Sequence, residues 1–104
     1  MKLDRNINSD GMGKYALLKL RNYRKGDTGV DAALRTLDEA GILDWGNTID
    51  SEFFVIRLKD ENAANALFAY GISATVRGDP EYGGEIEKMA RRSGEKHPNC
   101  KKPD

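Results

Sequence analysis

The sequence predicts a small α+β fold in the order strand, helix, strand, helix, helix, with a thin two-stranded sheet packed by helices. Three observations predict it. A pattern of aromatic, three apolar, basic, Leu, basic occurs at Tyr15–Arg21 and again 38 residues later at Phe53–Lys59. Each copy is followed by a polar break. After each break the apolar residues recur at helical rather than alternating spacing, so the two copies read as equivalent strands with helices between and after them.

Residues 1–13 hold Asn6, Asn8, Ser9, Asp10, Gly11 and Gly13, a density of turn formers that predicts a flexible N-terminal segment. A single α/β domain is expected over 14–94. The first strand is ambiguous in isolation, because Ala, Leu, Lys and Arg are also good helix formers. Its likeness to Phe53–Lys59, where aromatic and β-branched residues favour an extended chain, assigns it to the sheet. Asp27 or Thr28 is placed to cap the first helix, with Asp31 in its first turn and Val30, Ala33, Leu34 and Leu37 on one face. Gly41 stops that helix. Asp60 closes the second strand and is suited to cap a helix in which Ala63, Ala66, Leu67, Tyr70 and Ala74 recur; its alanines would let it lie close to the sheet. Arg77-Gly78 breaks it, and Asp79-Pro80-Glu81 opens the next with an acid cap and proline at the first helical position. Tyr82, Ile86, Met89 and Ala90 form the stripe of this last helix, and Ser93-Gly94 ends it. The basic tail, 95–104, has two prolines and no apolar period, so an extended or mobile course is expected. Two strands leave open edges, which invite a partner that extends the sheet, a homodimer included.

Composition narrows function by exclusion. Seventeen basic residues balance seventeen acidic ones, which argues against a surface given over wholly to nucleic acid or membrane. No apolar run approaches the roughly 18 residues of a membrane span, and the first ten residues are polar, so a cytoplasmic protein without a membrane partner is expected. Cys100 is the single cysteine and has no internal partner for a disulfide, in keeping with a reducing compartment.

Candidate sites are sparse. Ser9-Asp10-Gly11-Met12-Gly13-Lys14 has the glycines and lysine of a phosphate loop, but it lacks the P-loop spacing and leads into a strand rather than a helix. His97 and Cys100 stand at a spacing compatible with two metal ligands, while a structural zinc needs four and the chain has no other His or Cys. For catalysis, the one histidine sits in the tail, no nucleophile has a partner, and nothing brings Asp44, Asp50 or Asp60 together; no catalytic residue and no cofactor are expected. Trp45, on a connection, reads either as a lid over the core or as an anchor for a partner. Two basic groups, Lys19, Arg21, Arg24 and Lys25 with Arg91 and Arg92, would grip phosphates if they converged.

Taken together, Gly13–Leu17, Glu52–Asp60, Asp79–Tyr82 and the ending His97–Asp104 resemble small uncharacterised proteins encoded by bacteriophages and prophages. That resemblance implies a context: an accessory protein in the host cytoplasm that occupies a surface on a host machine. The expected function is non-enzymatic binding and modulation or inhibition of a host protein complex, a CRISPR-type defence nuclease among those the context suggests. Trp45, Arg21, Arg57, Asp44, Asp50 and Asp60 are the expected partner-binding residues. The alternative is a nucleic-acid-binding accessory protein that uses Lys19, Arg21, Arg24, Lys25, Arg91 and Arg92.

Overall fold

Local signals at helix ends decide this fold. In the computed structural model, which describes Leu3 and residues 15–103, the helices are α1 (Thr28–Glu39), α2 (Ala63–Val76) and α3 (Pro80–Arg91). Short 3-10 turns stand at Leu20–Asn22 and Gly94–Lys96. The caps explain the boundaries. Asp27 accepts the Val30 N–H at 3.1 Å to open α1, and Asp79 accepts the Tyr82 N–H at 3.1 Å to open α3, with Pro80 supplying no donor to be satisfied. Asp60 acts just ahead of the expected position: its carboxylate accepts the Asn62 N–H at 2.8 Å, and Asn62 itself holds the cap position of α2.

Both α1 and α2 end in the same device. Gly41 (φ +73°) and Gly78 (φ +107°) take the backbone conformation closed to most L-residues. The following amides then reach back, Ile42 N–H to Leu37 O and Asp79 N–H to Ala74 O, while the glycine amides bond Asp38 O and Thr75 O. Each reversal satisfies carbonyls that the helix leaves bare. It also turns α2 directly into α3, which makes a tight helical hairpin.

The expected α+β fold is corrected. Among the described residues there is no strand and no sheet, and the fold is mostly helical; the one β-type contact is an isolated parallel bridge between Asp60 and Lys101. Tyr15–Arg21 is irregular and runs into the 3-10 turn, and Phe53–Lys59 is irregular until it turns at Leu58. β-propensity describes how a side chain fits a sheet that already exists, and it supplies no partner for the backbone. Both runs also place three apolar residues consecutively, with no alternation to define an inner face. Their apolar side chains accordingly stay in view: Leu17, Leu18, Phe53, Phe54 and Val55 are all exposed.

The chain divides into two compact units, Ala16–Phe54 and a second built on Val55–Asp104 that Leu3 joins. In the latter, α2 and α3 pack backbone to backbone. A methyl group on Gly71 would lie 2.9 Å from the Gly83 carbonyl, and one on Gly83 would lie 2.5 Å from the Gly71 carbonyl. Around this crossing Ala63, Ile86 and Ala90 are buried and Leu67, Ala74, Tyr82 and Met89 are half-buried. The stripe expected for α3 is therefore the packed one, whereas on α2 it rotates: Ala66 and Tyr70 face out and Gly71 faces in. The alanines do permit close approach, to a helix rather than a sheet. At the middle of α3, Leu3 N–H donates to the Glu85 carboxylate.

The tail expected to be extended or mobile is tied back instead. Gly94 N–H donates to Leu58 O at 2.8 Å, Lys101 N–H to Lys59 O at 2.9 Å, and Glu61 N–H to Lys101 O at 3.0 Å. Ser93, fully buried, donates its hydroxyl to Met89 O at 2.6 Å. Backbone amides and carbonyls of 58–61, which would have served a strand, are used by the tail.

Candidate functional site

The expected partner-binding residues fall in both units. Arg21, Asp44, Trp45 and Asp50 belong to Ala16–Phe54, and Arg57 and Asp60 to the other unit. Three of the six serve local geometry. Asp44 accepts the Gly46 N–H at 2.9 Å and so shapes the turn after Trp45; Asp60 holds the approach to α2. Trp45 is neither a buried lid nor a free ring: its indole N–H donates to Asp38 at 3.2 Å, and 44% of the residue remains exposed. Asp50, in a turn stitched by the Thr48 and Ser51 side chains, and Arg57 are exposed.

The residues of the nucleic-acid alternative divide in the same way. Lys19, Arg21, Arg24 and Lys25 are exposed within one unit. Arg91 and Arg92 are exposed at the end of α3 in the other, where Lys88 and Arg91 meet the negative end of the helix dipole. His97 accepts the Asn99 N–H on Nδ1 at 3.0 Å, and Cys100 is exposed; no three potential metal ligands cluster among the described residues. The glycine-rich stretch Ser9–Lys14 lies outside the described residues.

A cleft of about 450 Å3 opens between α2, the end of α3 and the tail. Ala64, Phe68, Ala90 and Ser93 line it with two carboxylates, Glu61 and Glu95, and two cations, Arg91 and Lys96. Balanced charge gives it no field that would select an anion or a cation.

A further surface was not foreseen. The α2 segment, Ala63–Val76, contains no charged residue in 14 positions, and only one side of it is taken up by α3. On the other side Ala69, Ile72 and Val76 form an exposed stripe, with Ile72 54% and Val76 80% exposed. The signal was in the sequence: an apolar helix without a charged side has two faces to cover, and a two-stranded sheet accounted for one. Beside it Tyr70 and Tyr82 meet edge to face, ring centres 6.0 Å apart, hydroxyls 3.4 Å apart. The hydrogen bond to Tyr70, then partial burial, raises the Tyr82 phenol from 10.0 to about 12. A phenol stabilised in its protonated form contributes to stability below pH 10, and that contribution disappears as pH rises through about 12. In an ultraviolet phenolate titration, Tyr70→Phe is expected to bring the ionisation of Tyr82 back toward 10, which an unchanged late transition would contradict.

The described residues carry an uncharged helix face and a set of exposed apolar side chains. No helix among them is long and apolar enough to cross a membrane. Comparison with protein-family models, with characterised proteins and with solved structures finds no match to this chain.

Proposed function

We propose that this chain is a non-enzymatic accessory protein that works by occupying a surface on a partner protein complex. The observation that carries this reading is the outer face of α2, where Ala69, Ile72 and Val76 lie in one row on a helix without charge. A row at i, i+3 and i+7 is the spacing with which a helix enters an apolar groove or lies on a flat apolar patch. Covering the exposed part of two such aliphatic side chains contributes up to about 1.5–3 kcal/mol each, a part of what a specific contact requires. The α3 helix holds this face rigid from behind, so little order has to be gained on binding. The phage setting implied by the sequence resemblance supplies the class of partner, a host complex such as a defence nuclease of the CRISPR kind, with inhibition by occlusion as the mode of action.

The test is capture of partners from host lysate, treated with nuclease and washed at high salt, with the unmodified chain beside the Ile72→Glu, Val76→Glu double variant. A single complex should be retained by the first and lost by the second, while both unfold at the same temperature. Capture that survives the double variant would refute this face as the binding surface. Loss of every partner on nuclease treatment would favour the basic residues and nucleic acid.

A further inference from the structure

We propose that the unit Ala16–Phe54 pairs with the same unit of a second copy of this chain, the basic stretch of each lying along the acidic stretch of the other. The unit lacks an interior. None of residues 16–54 is buried, although α1 carries an apolar face and Ile42, Ile49, Phe53 and Phe54 are 72%, 97%, 59% and 86% exposed. So many exposed apolar side chains in so short a stretch mark a surface made to be covered.

Charge identifies what covers it. Lys19, Arg21, Arg24 and Lys25 give four positive charges and no acid within seven residues. From Asp27 to Glu52 the order inverts: Asp27, Asp31, Asp38, Glu39, Asp44, Asp50 and Glu52 stand against Arg35 alone. Nucleic acid fits poorly, since the unit as a whole has seven acids and five bases and would repel phosphate. A second copy fits both halves at once. In a two-fold pair each contact occurs twice, so one basic-to-acidic alignment is repeated by symmetry, and the apolar residues within and just after the acidic stretch, Ile42, Ile49, Phe53 and Phe54, are drawn into the same interface. The chain's zero net charge leaves no overall repulsion between copies. Trp45, fixed by Asp38 and 44% exposed, is the aromatic anchor such an interface uses. This surface belongs to a different unit from the α2 face, so either proposal can fail without the other.

The experiment is sedimentation velocity on the full chain over a micromolar to submillimolar range, with two charge-reversed variants. One carries Lys19→Glu, Arg24→Glu and Lys25→Glu; the other carries Glu39→Lys, Asp50→Lys and Glu52→Lys. All six positions are exposed, so the helical circular dichroism should be unchanged. The unmodified chain should sediment as a species of twice 11.6 kDa that weakens as salt is raised. Each variant alone should associate roughly tenfold or more weakly, and an equimolar mixture should restore the dimer, because the reversed stretches then face each other with opposite sign. A chain that stays monomeric throughout the range overturns the proposal. So does a dimer indifferent to salt, or a mixture that remains monomeric.

Discussion

Gly83→Ala should destabilise the α2–α3 hairpin by about 3 kcal/mol, although the substitution raises helix propensity. In an unpacked helix the added methyl would stabilise by about 0.5–1 kcal/mol. Here it would stand 2.5 Å from the Gly71 carbonyl and 3.0 Å from the Thr75 backbone nitrogen, and against the Thr75 hydroxyl as well. The hydroxyl can rotate away from its bond to Gly71 O, but the carbonyl belongs to the opposite helix and cannot. Relief requires the helices to separate, and separation opens the contacts that bury Ala63, Ile86 and Ala90 together. Gly84→Ala is the control. The next residue has open space where its methyl would go, so this variant should gain about 0.5–1 kcal/mol. Thermal or urea unfolding reads both. Equal changes of either sign would mean that the helices do not cross at Gly71 and Gly83.

The contrast between these neighbours shows what could be read from the sequence and what could not. Helix ends are local events. Asp27, Gly41, Gly78 and Asp79-Pro80 act on amides within a few residues, so the three helices stand where spacing and capping placed them. Burial depends on which element lies opposite. Gly71 and Gly83 give no apolar signal, and their part in the crossing appears only when two helices are brought together. The strand reading failed for the same reason in reverse. Tyr15–Arg21 and Phe53–Lys59 have the composition of paired segments, yet pairing is a long-range event that composition does not report. The backbone groups near the second segment were taken by residues further along: the Leu58 and Lys59 carbonyls accept the Gly94 and Lys101 amides, and the Glu61 amide donates to the Lys101 carbonyl. As for the candidate site, the charges of 16–54 were visible as counts. The absence of charge along α2 was equally legible, but the sheet expected against it hid the face that would be left open.

Gly94→Ala should cost about 2–3 kcal/mol and loosen the tail, the second large effect expected in this chain. Gly94 has φ +62°, where an L-residue pays about 1–2 kcal/mol for the contact of its Cβ with the following carbonyl. A methyl there would also meet the Ala64 methyl at 3.1 Å, the Ala64 nitrogen at 3.3 Å and the Glu61 carbonyl at 3.3 Å, all at the start of α2. Neither neighbour yields easily, because Ala63 beside them is fully buried and Glu61 is bonded to Lys101. Gly41→Ala separates the two costs. At φ +73°, close to that of Gly94, and with nothing near its methyl, it should lose only the conformational part, so the difference between the variants measures the packing of the tail on α2. Hydrogen exchange locates the effect. In Gly94→Ala the amides of Glu61 and Lys101, which bridge the tail to the entrance of α2, should lose protection first, while the amides at the centre of α3 keep theirs. Protection lost uniformly along α2 and α3 would mean that the tail and the hairpin open as one body.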